Sequence, residues 1–295
     1  MRFWSDKSTP FSGIKTLKCG DIVLNTDKPL VMGILNLTPD SFYDGGRYTK
    51  KDTWISQTEK MIQDGAAIID LGAVSTRPGA ENVSEEEEIS RLLPAVELLC
   101  AKYPGTVFSI DTYRAKVAKL TAQAGAGIIN DISGGRMDAG LIAAVAETGL
   151  PYILMHMQGT PSVMQKNPVY SDVTKEVNNF FIQNLRSLHQ AGIQQVILDP
   201  GFGFGKSIEH NYRMLHELSV FKKYDCPVLV GISRKSMIYK LLKITPEEAL
   251  PATSALHLVA LLNGADILRV HDVKEAMQVI RMAGMFEERE IGNKK

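Results

Sequence analysis

Eight short apolar runs in this sequence each end on side chains that can hold or polarise a ligand. The first ends at Asn36, followed by the loop LTPDSFYDGGR (37–47). The second ends at Ser75-Thr76-Arg77-Pro78-Gly79, the third at Asp111, the fourth at Asn130-Asp131, the fifth at His156 and the sixth at Asp199. The seventh carries Ser233-Arg234-Lys235-Ser236, and the eighth Arg269 and His271. A single strand-end aspartate reads as a structural anchor, because a carboxylate leaving water needs a partner. Some ten polar side chains at one mouth read as function. Ionised carboxylates only accept hydrogen bonds, so Asp111 and Asp199 with Asn130 suit a flat ligand rich in N–H donors. Lys235 supplies a cation for a carbonyl or ring nitrogen of that ligand and offsets the carboxylates. Arg269 and His271 alternate with Val270, so they leave a strand on one side. With Asn36 they would make an anion pocket for phosphate or diphosphate. The competing reading of Arg269 is a purely structural ion pair.

Other motifs carry less. GFGFGKS (201–207) has the look of a phosphate-binding loop, but Pro200 stands where its first glycine belongs, and G-x-G-x-G is not the dinucleotide fingerprint. It reads better as a backbone-rich loop over a planar ligand, with Phe202 or Phe204 as a stacking wall. No His/Cys cluster has metal-ligand spacing. His156, between Met155 and Met157, is equally readable as a packed histidine or a ligand contact. His189, His210 and His216 fall on helical segments and are read as surface residues. The Met residues are read as core filler, with Met155 at the mouth the exception.

The elements that must position these groups follow from a repeat. A helical stretch ends in glycine, a β-branched run follows, and the run stops at polar residues, as in 63–73, 122–135, 146–159, 189–203 and 262–272. Gly65, Gly125, Gly149, Gly192 and Gly264 occupy the place where a left-handed residue closes a helix. Runs 30–38, 106–112 and 227–235 complete a set of eight. They are continuously apolar rather than alternating, as parallel strands covered on both faces require. Eight strand–helix units predict an α/β protein, a (β/α)8 TIM barrel, with the site on the loops after its strands. Ser84 and Glu87 predict a capping box opening a helix over 84–100, and Glu85–Glu88 a solvated first turn. Residues 17–25 predict a short β-hairpin turning at Gly20-Asp21 and capping the barrel bottom, giving an N-terminal segment 1–29 and a barrel 30–295.

Bulk properties agree. A chain of 295 residues that is 44% hydrophobic can bury one large core, and 33 basic against 33 acidic residues give no charge reason to expect nucleic acid or an anionic membrane. Three scattered cysteines favour a reducing compartment, and no signal or membrane-spanning run is seen, so a soluble cytoplasmic protein is expected.

MGILNLTPDSFYDGG, STRPG, IDTYR, INDISG, LMHMQGTP, LDPGFGFGK, GISRKS and RVHD, in that order over roughly residues 32 to 272, resemble the successive signatures of the dihydropteroate synthase family. The resemblance implies a transferase of folate biosynthesis that condenses 6-hydroxymethyl-7,8-dihydropterin diphosphate with p-aminobenzoate, with Mg2+ assisting and sulfonamides competing. It places the pterin on Asp111, Asn130, Asp199 and Lys235, with Met155 and Gly231 lining the slot. Asn36, Arg269 and His271 would hold the diphosphate, Asn36 also touching Mg2+. Thr76, Arg77, Pro78, Phe42, Phe204, Ser233 and Ser236 would shape the p-aminobenzoate site. Tyr43 departs from the family, which more often has a small polar residue there. A dissociative substitution is expected. Asp111 and Lys235 serve the chemistry, and loops 37–47 and 75–80 close over it, with Asp44 and Arg77 as pairing partners. A homodimer through helices near 246–290 is expected from the family. The rival within this resemblance is the pterin-binding domain of a methyltetrahydrofolate-dependent methyltransferase; outside it, a degenerate binding or regulatory barrel.

Overall fold

The computed structural model describes residues 16–37, 50–74, 83–159, 164 and 168–292. Two antiparallel strands, β1 (Thr16–Cys19) and β2 (Ile22–Asn25), form the expected hairpin, with Cys19 opposite Ile22. Eight parallel strands follow: β3 (Leu30–Asn36), β4 (Ile68–Gly72), β5 (Val107–Asp111), β6 (Ile128–Asp131), β7 (Tyr152–Met155), β8 (Val196–Asp199), β9 (Leu229–Val230) and β10 (Ile267–Val270). Their order is β8-β7-β6-β5-β4-β3-β10-β9, and a parallel bridge from Leu198 to Val228 brings β8 to the run of β9. The result is the nearly closed barrel that the repeat predicted. Among the described residues the surrounding helices are α1 (Lys50–Asp64), α2 (Glu85–Lys102), α3 (Ala115–Gln123), α4 (Leu141–Thr148), α5 (Val173–Gln190), α6 (Ile208–His216), α7 (Ser236–Leu242), α8 (Leu250–Leu262) and α9 (Val273–Gly292).

Both faces of the strands are buried, which explains their unbroken apolar character. One face packs on the helices. The other fills the barrel, and its lower layer is closed by the hairpin: Leu17 and Cys19 pack with Met32, Ile68, Val107, Ile128, Ile153, Ile197, Leu229 and Ile267. The five glycines expected to close helices all have positive φ, from 68° to 105°.

Two expectations need correction. Ser84 does cap α2, its hydroxyl accepting from the Glu87 amide at 3.1 Å, but the Glu87 carboxylate turns to Arg91 instead of completing the box. Glu85–Glu88 is not a uniformly solvated turn. Glu88 is 1% exposed and ion-paired with Arg114, which also donates to the carbonyls of Val83 and Ser84. The helical period explains it: the fourth residue of the run rotates onto the face that meets the barrel.

Candidate active site

The expected pocket residues stand at the upper ends of neighbouring strands. Asn36 is in register with Gly72, Gly72 with Asp111, and Asp111 with Asn130, so four adjacent strands carry one row of acceptor groups interrupted by a glycine. A Cβ at Gly72 would lie 3.6 Å from Asp111 Cβ and 3.9 Å from Asn36 Oδ1, so the glycine keeps a gap between those two side chains. Across the mouth, Asp199 ends β8, and its carboxylate accepts from the Gly201 amide at 2.7 Å. Lys235 precedes α7 and donates to the Phe202 carbonyl, with its ammonium 4.6 Å from the Phe204 ring centre. Gly231 lies beneath: a Cβ there would be 3.9 Å from both Lys235 Nζ and Arg269 Cβ. Met155 joins Ile132, Met157, Met164, Tyr113 and Phe204 in a small apolar cluster beside these polar groups.

Arg269 lies among the carboxylates. Its Nε donates to Asp70 Oδ2 at 2.7 Å, and one terminal nitrogen reaches Asp70 at 2.6 Å and Asp111 at 3.1 Å. The same Asp70 oxygen accepts from Asn130 Nδ2 at 3.0 Å. Arg269 is therefore ion-paired, as the structural reading held, and is nonetheless placed in the mouth. Asp70 fixes which end of the Asn130 amide is tied down and leaves its carbonyl oxygen for a donor. Asp70 was missed in the sequence because it lies two residues before the end of its strand, inside a run read as core. Its one signal was a carboxylate among IIDLG with no local partner.

The electrostatics reflect crowding out of water. Burial pushes the Asp111 carboxyl up to about 7; Arg269 opposes this, while Asp70, Glu88 and Asp131 add to it. Burial likewise raises Asp199, against the pull of Lys235 and the Gly201 amide. Lys235 is lowered to about 8 by burial, held that high by Asp199 and Asp111. For Arg269, burial works downward, but the attraction of Asp70 and Asp111 prevails and raises it further. Three carboxylates and two cations in one mouth can accept N–H donors and still receive an anion.

The remaining expected residues divide. Phe202 is fully buried in the core, so of the two candidate walls only Phe204 borders the site. Ser233 is 6% exposed and its hydroxyl accepts from the His271 amide at 3.3 Å, while Ser236 opens α7. His271 follows the last residue of β10 and is exposed. Asp131, beside Asn130, points to the opposite face and serves the fold, accepting from Tyr152 Oη at 2.6 Å and from the Ser133 amide at 2.7 Å. His156 is a packed histidine: it is 8% exposed, edge-on to Phe180 at 5.0 Å between ring centres, with Nδ1 3.0 Å from Lys206 Nζ. His210 is corrected from a surface residue to a half-buried partner in the capping box that opens α6 with Ser207. Phe42, Tyr43, Asp44, Thr76, Arg77 and Pro78 lie outside the described residues. Among the described residues no group of three or more His, Cys, Asp and Glu side chains could hold a metal ion.

A barrel whose mouth presents acceptors for a donor-rich flat ring beside a guanidinium matches, over residues 32–271, the family of pterin binding enzymes. Narrower likenesses fall within it. The chain is 48% identical over 261 residues to the dihydropteroate synthase of Escherichia coli, covering 88% of this chain and 92% of that one. Its structure is similar to that of Yersinia pestis dihydropteroate synthase with a sulfonamide drug (TM-score 0.87, 42% identity, 92% of this chain and 99% of that chain). It is also similar to the Xanthomonas albilineans enzyme with 4-aminobenzoic acid (TM-score 0.87, 38% identity, 92% and 98%). The chain belongs to the dihydropteroate synthase family and is an enzyme of that type.

Proposed function

We propose that the mouth binds 6-hydroxymethyl-7,8-dihydropterin diphosphate and p-aminobenzoate and joins them into 7,8-dihydropteroate, releasing diphosphate. The observation that carries this reading is the row Asn36, Asp111, Asn130 facing Asp199 and Lys235, with Arg269 between the carboxylates. Asp111, Asp199 and the free oxygen of Asn130 accept the N–H groups of the pterin, and Lys235 donates to its carbonyl or a ring nitrogen. Met155 and Gly231 border the slot. The bonds described for Arg269 use Nε and one terminal nitrogen, which leaves the second terminal nitrogen for the diphosphate, with His271 and Asn36 beside it. Phe204, Ser233 and Ser236, with Phe42, Thr76, Arg77 and Pro78 of the preceding loops, form the arylamine site.

The bond from the methylene carbon to the diphosphate oxygen breaks first, and its electron pair leaves with the diphosphate, whose growing charge Arg269 and His271 stabilise. The cationic methylene is delocalised into the dihydropterin, which the Asp111 carboxylate supports. The neutral arylamine nitrogen then forms the new C–N bond and loses its proton to solvent or to the departing diphosphate. Exclusion of water that would trap the cation is the role the family resemblance gives to the segments 37–47 and 75–80, with Asp44 and Arg77 the residues expected to serve it. The neutral oxygen of Asn36 suits Mg2+, which prefers hard oxygen donors and keeps most of its shell for water and substrate phosphates. Mg2+ so held would supply Lewis-acid stabilisation of the diphosphate. The enzyme acts in the cytoplasm as a homodimer through helices near 246–290.

Incubation with the pterin diphosphate, p-aminobenzoate and Mg2+ should yield dihydropteroate and diphosphate in equal amounts. Tight binding of the pterin without product would refute the reading. Asp111→Asn with full turnover would refute the role of Asp111.

A further inference from the structure

The loop between β8 and α6 contains a buried lysine that the functional reading leaves unused. Lys206 is 4% exposed, and its ammonium turns back into its own loop. It donates to the carbonyls of Gly201 at 2.9 Å and Phe204 at 3.1 Å, and it stands 3.0 Å from His156 Nδ1. Burial lowers Lys206 to about 7 against the pull of Asp199, so it passes between ammonium and amine near neutral pH; in the ammonium form it has three donors and no acceptor, and Nδ1 of the histidine then accepts. The histidine remains uncharged: burial pulls it down to about 2, and Lys206 and Arg136 add to that.

The loop has no regular backbone ladder to define it. Gly201, Gly203 and Gly205 have φ of 71°, 80° and 61°, so it winds through alternate left-handed residues against the exit of β7. At Gly201 a Cβ would stand only 1.9 Å from the His156 carbonyl oxygen. Such a segment is held by what ties its carbonyls. Lys206 ties two of them, Asn211 accepts from the Gly203 amide at 2.7 Å, and Tyr170 donates to the Gly205 carbonyl at 2.9 Å. Between the two carbonyls that Lys206 holds, the loop presents the Phe202 carbonyl to Lys235 and the Phe204 ring against the Lys235 ammonium.

We propose that Lys206 is a positioning residue that holds the 201–206 loop so that Phe204 stands between the pterin and arylamine halves of the site. The roles of Phe204 and Lys235 rest on the proposed function; the restraint on the loop does not. Lys235 is also fixed at the start of α7, and the pterin acceptors sit on strands, so loosening this loop falls mainly on the arylamine.

The test is Lys206→Met, which keeps an unbranched apolar stem and removes the three donors, compared with the native enzyme. KM for p-aminobenzoate should rise about tenfold, as loss of roughly one well-placed interaction implies, while KM for the pterin diphosphate changes less than about threefold. Amide hydrogen exchange should accelerate in 201–206 and not in the strands. His156→Leu, which removes the ring acceptor and keeps the lysine with its carbonyl partners, should move both readouts the same way by less, and it decides the matter if Lys206→Met does not fold. Unchanged KM values with unchanged exchange in the loop would overturn the proposal. So would a fall in kcat alone in proportion to lost stability, the mark of a purely structural lysine. If the native chain makes no dihydropteroate, the proposed function fails, and the exchange measurement alone decides the role of Lys206.

Discussion

Asp70→Asn is the sharpest probe of the mouth. One oxygen of Asp70 accepts from Arg269 Nε at 2.7 Å, from its terminal nitrogen at 2.6 Å and from Asn130 Nδ2 at 3.0 Å. The other oxygen is buried with no hydrogen-bond partner among the described residues. An asparagine that keeps its oxygen on the guanidinium puts its NH2 where no acceptor waits, at about 1–3 kcal/mol for a buried unsatisfied donor. Turning two charge-assisted bonds into neutral ones costs about a further 1 kcal/mol each. The sum, roughly 3–5 kcal/mol, lowers Tm by about 5–8 °C in a domain of this size. Function should shift in a way that stability alone does not explain. Asp70 is one of the charges that hold the Asp111 carboxyl up at about 7, and without it Asp111 is the carboxylate left in direct contact with Arg269 among the described residues. The Asp111 carboxyl should then ionise at lower pH. Because the ionised form accepts the pterin, the acid limb of kcat/KM should move to lower pH while the maximum falls about tenfold or more through misplacement of Arg269. Thermal unfolding at pH 7 and pH–rate profiles from 5 to 9 check both parts. A variant within about 2 °C of the native Tm, with an unmoved acid limb, would show that Asp70 neither anchors Arg269 nor bears on Asp111.

Proton linkage gives a second test. Between pH about 4 and 7 the folded, ligand-free chain holds a proton on Asp111 that the unfolded chain has already lost, so this group's contribution to stability declines as pH rises across that window. Pterin N–H donors favour the ionised carboxylate, so calorimetry near pH 6 should find proton release on binding, seen as heats that vary with buffer ionisation enthalpy; buffer-independent heats contradict it. Glu88→Ala leaves Arg114 buried without its carboxylate and should cost about 3–5 kcal/mol in denaturant unfolding, against less than about 1 kcal/mol for exposed pairs such as Lys119–Glu147. Gly201→Ala and Gly149→Ala separate strain from space. Both have left-handed φ, but a Cβ at Gly149 meets nothing within 4 Å while one at Gly201 collides with the His156 carbonyl. Unfolding should register about 1–2 kcal/mol at Gly149 and clearly more at Gly201.

Much of this protein was legible along the chain because its information is local. Glycine closing a helix, an unbroken apolar run and a polar stop recur at each strand–helix unit, and that period specifies parallel strands buried on both faces. The strand-end groups Asn36, Asp111, Asn130, Asp199, Lys235 and Arg269 were found because the barrel sends every strand end to one mouth. Local pattern does not encode which charges meet. Asp70 and Arg269 are 199 residues apart, and only barrel closure puts the carboxylate beneath the guanidinium. Glu88 was read as solvated because its neighbours are acidic, whereas the rotation of α2 onto the barrel and the reach of Arg114 decide its burial. Lys206 looked like the tail of a phosphate-loop mimic, and His156 was balanced between packing and binding. Folding of the 201–206 loop back onto the exit of β7 settled both. The sequence by itself determined the barrel and the chemistry offered at its mouth; the tertiary structure decided the pairing of buried charges, because a carboxylate out of water takes whichever cation the closed barrel brings within reach.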